Sequence, residues 1–345
     1  MGKKPLHILV IRLSAMGDVA MCVPVLRSFV KQNPDVKITV LSRAFLKPLF
    51  EGLHNVDFFI ADVDGKHKGV FGLYKLYKEL KLLRIDAIAD CHNVLRSKII
   101  RFFYAFSRNE IVTIDKGRDE KKALTQSEHK VFKQLKTTHE RYADVFRKLG
   151  FKLDLSNPEF PIKEQLVDFP FSTQKEKDIK WIGLAPFAKY QSKMYPLDLI
   201  EEVISGLVDL KQFRLFLFGA GKNEIDILDK LSSKFDNVTN VAGNVKLKEE
   251  LNLIAHLDCM VSMDSANAHL SAMQGIQTIT LWGVTHPYAG FAPFNQPFEQ
   301  MILPDLEMYP NIPCSVYGNK VCKGYEDIMR TIAPKKVIDR IKKCI

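Results

Sequence analysis

The order of apolar and polar residues predicts strands and helices in alternation through the first part of the chain. Short apolar runs that end in turn residues are typical of buried strands. The predicted strands span residues 7–13, 37–42, 57–61, 86–90 and 110–114. Helical patterns occur between them, and over residues 72–83 the leucines recur on one face. Strands that alternate with helices in this way form a parallel, largely buried sheet.

The pattern lapses between residues 150 and 180, where prolines and charged residues accumulate, and then the alternation begins again. The predicted strands of this second part span residues 181–185, 214–218, 238–241, 257–263 and 277–283, and the predicted helices span residues 196–210, 223–235 and 247–257. We therefore predict an α/β protein in which two Rossmann-like, doubly wound domains face a central cleft.

The predicted domain bounds follow from that linker. The first domain covers residues 1–165 and the second covers residues 166–330. Residues 331–345 form a terminal helix that we expect to pack back on the N-terminal domain. A chain of 345 residues is long enough for two domains that each bury a core.

Composition narrows the class of protein. No apolar run approaches the roughly 18 residues that a membrane span needs, and the basic start has too short an apolar core for a signal peptide. Six scattered cysteines suggest a reducing compartment. Cys314 and Cys322 are the only closely spaced pair and have no histidine partner nearby, so we expect no metal site.

A net charge of +10 favours an acidic partner. Nucleic acid, an anionic membrane surface and a phosphorylated glycolipid all satisfy that requirement. The charge alone does not choose among them.

The stretch from residue 261 to residue 275 is the strongest candidate for a binding site. A buried strand ends at Asp264 and Ser265, which are good helix N-cap residues, and a short helix follows. The backbone N–H groups at Ser265 and Ala266 would point at a ligand, and the helix dipole favours an anion such as phosphate. His269, one turn later, can aim its ring at the same place. The alternative is an ordinary turn whose histidine is satisfied within the protein.

A second candidate is the loop after the first strand, which ends in Gly17 and Asp18. An acidic residue there would repel phosphate, and the GxxxxGK[ST] pattern of a P-loop is absent. The carboxylate of Asp18 can instead accept a proton from a substrate. It can also simply cap the following helix, which is the interpretation that spacing alone favours.

The loop of residues 186–196 carries two lysines, Lys189 and Lys193. A cation on such a loop can neutralise a departing diphosphate. A solvated surface lysine is the alternative, and the loop sequence by itself favours it.

A glycine turn follows the predicted strand of residues 214–218. Gly219 and Gly221 resemble a dinucleotide fingerprint, but the third glycine is missing, which weakens the inference of NAD binding. Glu224 can hydrogen-bond a ribose or a base edge, or it can favour the N-terminus of its helix.

Basic residues concentrate between residues 96 and 122, among them Arg96, Lys98, Arg118 and Lys122. They can meet an acidic acceptor. Usually, however, such charge is only a solvated surface.

Several motifs, taken in order, resemble glycosyltransferase family 9, the lipopolysaccharide heptosyltransferases. The matching segments are Ile11-Arg-Leu-Ser-Ala-Met-Gly-Asp18, His139-Glu-Arg-Tyr142, Lys193 before Pro196, Gly219 with Glu224, Asp264-Ser-Ala-Asn-Ala-His-Leu270 and Gly283-Val-Thr-His-Pro287. The resemblance covers nearly the whole chain. It is specific because the order and spacing of the motifs agree together.

The resemblance implies a GT-B fold and an inverting, metal-independent glycosyltransferase. Its donor would be a nucleotide sugar, most often ADP-heptose, and its acceptor the anionic inner core of a lipopolysaccharide-type glycolipid. The enzyme would then be cytoplasmic, peripheral on the inner face of the cytoplasmic membrane, and without a nucleic-acid partner.

The resemblance also implies roles for individual residues. Asp18 would be the general base. The residues implied to bind the donor are Lys193, Glu224, Asp264, Ser265, Ala266 and His269. Those expected to bind the acceptor are Arg96, Arg118 and His139.

Two rival classes stay open at this point. One is a non-catalytic protein that binds a nucleotide sugar, and the other is an NAD-dependent enzyme that uses the turn at Gly219 and Gly221. A transferase of the same fold that uses another nucleotide sugar is a third alternative.

Overall fold

The computed structural model describes residues 6–105, 107–167 and 169–345, which divide into two compact α/β units. The first unit contains residues 6–116 and 138–159, and the second contains residues 117–137 and 160–345. Every strand pairing in the described residues is parallel. None of the helices described there is both long and apolar enough to cross a membrane.

The first unit is built on a five-stranded sheet with the strand order β3-β2-β1-β4-β5. Up to residue 159 the elements are β1 (His7–Ile11), α1 (Met16–Gln32), β2 (Lys37–Ser42), β3 (Val56–Ile60), α2 (Gly69–Lys81), β4 (Ala87–Asp90), α3 (Leu95–Tyr104), β5 (Glu110–Thr113), α4 (Arg118–Thr125) and α5 (Thr138–Lys148). Of these, α4 belongs to the second unit.

β1 lies at the centre of this sheet, and its residues from Ile8 to Ile11 are completely buried. A strand buried on both faces has to be apolar throughout, which is why the sequence predicts it so clearly. In the register with β4, Ile11 lies opposite Asp90. The loop that follows β1 therefore emerges beside the loop that follows β4.

The second unit is built on a six-stranded sheet with the strand order β11-β10-β9-β6-β7-β8. Its elements after residue 160 are β6 (Lys180–Ala185), α6 (Leu197–Val208), β7 (Phe213–Leu217), α7 (Lys222–Ser232), β8 (Val238–Asn240), α8 (Leu247–His256), β9 (Cys259–Met263), α9 (Ala266–Ala272), β10 (Gln277–Leu281), β11 (Met301–Ile302) and α10 (Pro334–Cys344). β6 pairs with β9 in a register that sets Ala185 opposite Ser262. The loop carrying Lys193 and the turn carrying Asp264 thus leave neighbouring strands at the same edge.

Residues 117–137 lie outside the domain in which the sequence analysis placed them. The predicted boundary at residue 165 assigns them to the first domain, whereas they pack with the second unit. Leu124 and Leu135 cluster with Ala289, and the Leu135 N–H donates to the Tyr288 carbonyl at 2.9 Å. These contacts join residues far apart in sequence, so no local pattern could reveal them.

The terminal helix α10 also belongs to the second unit, whereas we expected it to pack on the N-terminal domain. Val337 and Ile341 are buried in the core of the second sheet. Ile338 approaches α6 where Gly206 has no side chain, so the missing Cβ makes room for it. The apolar face of α10 therefore matches a specific surface on α6.

Candidate functional site

Asp18 lies in the first turn of α1, which begins at Met16. Its carboxylate oxygen Oδ2 lies 2.5 Å from Nη2 of Arg12 and accepts a hydrogen bond from the Ala15 N–H at 3.4 Å. The side chain of Asp18 is 32% exposed. Asp18 thus caps the helix, which was one of the two interpretations of the sequence. Its carboxylate also remains accessible to solvent.

Arg12 is the residue near Asp18 whose role the sequence analysis missed. Its side chain is buried, and its Nη1 donates to the carbonyl of Cys91 at 2.8 Å. The Tyr142 hydroxyl donates to the backbone carbonyl of Asp18 at 3.2 Å. Both residues fall inside the motifs at residues 11–18 and 139–142, and that was the available signal. Arg12 supplies the positive charge that holds an ionised Asp18 in place.

His92 is a second neighbour that the sequence did not single out. It follows β4, is buried, and its Nδ1 accepts a hydrogen bond from the Leu13 N–H at 3.4 Å. Burial lowers the pKa of His92 to about 3, and the charges of Arg12 and Lys116 add to this effect. The ring is therefore neutral at physiological pH and offers hydrogen bonds without charge.

We expect His92→Asn to reduce the loss of stability on acidification. The folded protein holds His92 neutral down to about pH 3, whereas the unfolded chain protonates it near its ordinary value of 6.5. The contribution of the buried, neutral His92 to the free energy of unfolding is therefore complete above pH 6.5, and it declines as the pH falls towards 3. Melting temperatures at pH 7 and pH 5 should differ less in the variant, by on the order of one or two degrees. Equal differences in variant and wild type would contradict the assignment.

The three residues expected to bind the acceptor differ in the unit to which they belong and in their exposure. Arg96 is exposed in the first turn of α3, in the first unit. Arg118 is exposed at the start of α4 and belongs to the second unit. His139 is only 4% exposed in α5, so direct contact with a large acceptor would require its surroundings to move. Arg96 keeps the accessibility that an acceptor contact needs.

Lys193 and Asp264 form a largely buried ion pair in the second unit. The Lys193 Nζ lies 2.9 Å from Oδ2 of Asp264, and the Thr285 hydroxyl donates to the same oxygen at 2.9 Å. Thr285 was part of the motif at residues 283–287 but had no predicted role. By contrast, Lys189 is exposed and lies 5.4 Å from the ring centroid of Tyr190. Of the two lysines in this loop, Lys193 is therefore the one that the fold holds in a fixed position.

The turn at Ser265 and Ala266 begins the short helix α9, as predicted. Among the described residues no side chain caps this helix, and the Ser265 hydroxyl lies 3.1 Å from that of Ser262 instead. Ser265 and Ala266 are partly exposed, whereas His269 is buried. The N–H groups at the start of α9 are thus available beside the Lys193–Asp264 pair.

A loop closed by a disulfide packs against Lys193. Cys314 and Cys322 are bonded to each other, with their Cα atoms 5.7 Å apart. Gly318, at a φ of +83°, lies against the methylenes of Lys193, where a Cβ would collide with them. The Ser192 hydroxyl donates to the Gly318 carbonyl at 2.6 Å. The loop helps to fix the lysine, and this contact joins residues too far apart in sequence for a local pattern to predict it.

Glu224 borders a cavity of about 560 Å³ in the second unit. Its Oε2 accepts a hydrogen bond from the Ala220 N–H at 2.8 Å, so the carboxylate stabilises the glycine turn. The cavity is also lined by Phe187, Met194 and Tyr195, which precede or follow the Lys193 turn. The rest of the lining is mixed, with further apolar residues and with the charged groups of Asp198, Glu326, Asp327 and Arg330. A space of this size that combines apolar surface with hydrogen-bonding groups suits a nucleoside.

Across the described residues, no group of three or more histidine, cysteine or acidic side chains is arranged to hold a metal ion. Asp62 and Asp64 form an Asp-x-Asp sequence, but both carboxylates are bound to groups of the protein itself. Asp62 accepts hydrogen bonds from the Gly65 and Lys66 N–H groups at 3.0 and 2.9 Å, and Asp64 pairs with Arg43. These carboxylates stabilise a turn.

Two Rossmann-like units with parallel sheets, and phosphate-compatible groups at the ends of neighbouring strands, are features of the GT-B fold of glycosyltransferases. The family model of glycosyltransferase family 9 (heptosyltransferase) matches residues 73–315, which is more than half of the chain. The chain belongs to glycosyltransferase family 9. This membership removes the NAD-dependent enzyme from the alternatives.

Curated heptosyltransferases align with most of the length of this chain. The lipopolysaccharide core heptosyltransferase OpsX of Haemophilus influenzae is 23% identical over 312 residues, covering 84% of this chain and 82% of that protein. The lipooligosaccharide heptosyltransferase 2 of Campylobacter jejuni is 23% identical over 334 residues, covering 95% of this chain and 96% of the relative.

Solved structures share the fold. A glycosyltransferase family 9 protein from Veillonella parvula aligns with a TM-score of 0.77 and 18% identity, covering 100% of this chain and 98% of the other. The E. coli heptosyltransferase WaaC with ADP aligns with a TM-score of 0.69 and 18% identity, covering 98% of this chain and 100% of the other. The GT-B fold predicted from the sequence is confirmed.

Proposed function

We propose that the enzyme transfers heptose from ADP-heptose to the inner core of a lipopolysaccharide-type acceptor, with inversion at the anomeric carbon. Family membership and the names of the curated relatives support the heptose and the acceptor class. The observation that carries the chemistry is the buried Lys193–Asp264 pair beside the uncapped start of α9.

In the proposed reaction the second unit binds the donor. Lys193 and the N–H groups at Ser265 and Ala266 meet the diphosphate, whose negative charge grows as the bond to the sugar breaks. Asp264 carries a negative charge and would repel a phosphate at close range. Its role is to hold Lys193 in position until the diphosphate draws the ammonium group towards itself.

The nucleoside occupies the cavity beside Glu224 in this proposal. Phe187 and Met194 offer apolar surface to a base, and Oε1 of Glu224 accepts hydrogen bonds from hydroxyl or amino groups. His269 is buried behind the α9 turn and supports it from within.

Asp18 of the first unit acts on the acceptor. Both of its contacts named above use Oδ2, so Oδ1 can accept the proton of the acceptor hydroxyl. The hydroxyl oxygen attacks the anomeric carbon, the bond to the diphosphate breaks, and the diphosphate leaves as an anion. A single displacement of this kind inverts the anomeric centre.

The acceptor is a membrane-anchored glycolipid, so the enzyme works at the inner face of the cytoplasmic membrane as a peripheral protein. Arg96, an exposed cation of the first unit, meets the acidic groups of the acceptor. Arg118, although part of the second unit, serves the same purpose.

The experiment that tests this function offers the purified enzyme ADP-heptose, UDP-glucose and GDP-mannose, with and without an inner-core acceptor. We expect saturable binding of ADP-heptose and an acceptor-dependent release of ADP, with an inverted linkage in the product. Binding without transfer to any acceptor would favour the non-catalytic alternative. Preferred use of another nucleotide sugar would support the same fold and a different donor.

We expect transfer to continue in excess EDTA. Lys193 and the helix N–H groups can neutralise the leaving diphosphate, so a divalent ion is not required for that step. The measurement is ADP release at saturating substrates before and after chelation, followed by addition of Mg²⁺ or Mn²⁺. A complete loss that either ion restores would contradict metal independence.

A further inference from the structure

The paired helices α2 and α3 expose apolar side chains that the fold itself does not bury. Phe71, in the first turn of α2, is 92% exposed, and Leu95, in the first turn of α3, is 73% exposed. Val70 and Tyr74 are exposed on the same side of α2. The opposite side of that helix, with Leu73, Leu76 and Leu80, is buried in the core. An exposed apolar group of this size normally marks an interaction surface.

Ring contacts join the two helices into one surface. Tyr74 of α2 lies 5.2 Å from Phe103 of α3, measured between ring centroids, and Phe103 lies 6.0 Å from Phe102. Phe102 is itself exposed. We call the apolar surface formed by Val70, Phe71, Tyr74, Leu95 and Phe102 the α2–α3 face.

Both helices of this face also carry exposed lysines. Lys75, Lys78 and Lys81 are exposed on α2, and Lys98 is exposed on α3. The Lys78 Nζ lies 4.8 Å from the ring centroid of Tyr74. The acidic residue of α2, Glu79, is engaged by Lys66 and His67 and therefore does not cancel these charges. Exposed apolar side chains on helices that also expose lysines match the boundary between anionic headgroups and acyl chains.

We propose that the α2–α3 face docks on an anionic lipid bilayer, with Phe71 and Leu95 entering the headgroup region and the lysines pairing with lipid phosphates. The proposal deepens the proposed function, because it rests on a membrane-anchored acceptor. It assigns the contact to one surface of the first unit.

The location of the face within the first unit supports this assignment. α2 and α3 each follow a strand of the same parallel sheet, so their first turns lie near the carboxyl edge of that sheet. Leu95 comes three residues after His92, and the charge of Arg96 contributes to the low pKa of His92. A lipid surface at the first turns of these helices would therefore lie on the side of the unit where His92 and Asp18 are found.

The test measures binding of the full-length enzyme to sedimented vesicles of phosphatidylglycerol and phosphatidylcholine in equal parts, and to vesicles of phosphatidylcholine alone. Wild type should bind the anionic vesicles and bind less as salt is raised. The double variant Phe71→Ser/Leu95→Ser should bind them about tenfold or more weakly, because each side chain loses its apolar burial. Replacing Lys75, Lys78 and Lys81 with glutamine should weaken binding and flatten its salt dependence.

Matched controls change equally exposed residues of the second unit. Ile162 is 95% exposed and Met308 is exposed, so Ile162→Ser/Met308→Ser removes apolar surface at other places. Lys335, Lys342 and Lys343 of α10 are exposed and provide a control triple change to glutamine. Both controls should bind vesicles as wild type does. The substituted side chains are exposed, so melting temperatures should stay close to wild type in every variant.

Three outcomes would overturn the proposal. The first is that wild type does not bind anionic vesicles, and the second is that the Phe71→Ser/Leu95→Ser variant binds them like wild type. The third is that wild type is a dimer and this variant a monomer, which would assign the face to a second copy of the chain. ADP-heptose binding is measured in parallel and should be unchanged in all variants. Its absence in wild type would instead count against the proposed function.

Discussion

Replacing Lys193 with alanine is expected to slow sugar transfer by about 10²-fold at saturating donor, the scale of losing one electrostatic stabiliser of a transition state. The ammonium group lies 2.9 Å from Asp264 at the start of α9, where an anion is favoured. Turnover is the quantity to measure, because the charge on the diphosphate grows as the sugar bond breaks. Lys189→Ala is the matched control and should cost far less, since that lysine is exposed. Equal losses would mean that the wrong lysine has been assigned.

A second variant separates catalysis from folding. Lys193→Ala leaves the buried carboxylate of Asp264 without its cation, which alone can destabilise the protein. The double variant Lys193→Ala/Asp264→Asn removes that unpaired charge and keeps a partner for Thr285. If Lys193 meets the diphosphate, the double variant should regain stability and stay slow. Recovery of both stability and turnover would reduce Lys193 to a structural counter-ion.

The strands were predictable because parallel strands are buried on both faces. β2 has the bounds that the sequence predicts, and β9 and β10 each lie within the predicted runs. Such strands need continuous apolar sequence, and that signal is local. β11 was missed because it has two residues, Met301 and Ile302, which is too short for any periodicity.

The unit boundary could not be predicted in the same way. Residues 117–137 are largely polar and carry no strong period, and their assignment depends on contacts such as that of the Lys130 Nζ with the Asn311 carbonyl at 2.6 Å. A contact between residues so far apart in sequence follows from the completed fold. α10 is a related case, because its pattern revealed a helix and gave no information on the surface it covers.

The residues proposed for the candidate site carry a local signal in the sequence, whereas the pairings between them do not. The motifs identified Asp18, Lys193 and Asp264, but not the ion pairs that Arg12 and Lys193 form with the two acidic residues. Lys193 and Asp264 follow different strands, and they meet because β6 and β9 are neighbours in the sheet. Strand order is a property of the whole unit, so residue type and spacing could not supply it. The packing of the disulfide loop against Lys193 was also missed, because it too depends on the completed fold.

Asp18→Asn carries the largest expected effect, a loss of roughly 10²–10⁴ in rate, which is the usual range for general-base catalysis. Asparagine keeps the size of the side chain and an oxygen for the Ala15 N–H, so the helix cap should survive. It removes the negative charge and the basicity. The rate is measured at saturating donor and acceptor, and ADP-heptose affinity should change little because the proposed donor residues lie in the second unit.

The ion pair with Arg12 determines how this variant must be controlled. Asparagine leaves the buried guanidinium of Arg12 without its counter-ion, so a small fall in melting temperature is expected. Asp18→Glu restores the charge on a longer side chain and shifts the position of the base. It should recover the melting temperature while transfer stays slow, because a base must lie within hydrogen-bond reach of the hydroxyl. If Asp18 is only a cap and a partner of Arg12, both variants should transfer sugar nearly as fast as wild type, and Asp18 would have no part in the chemistry.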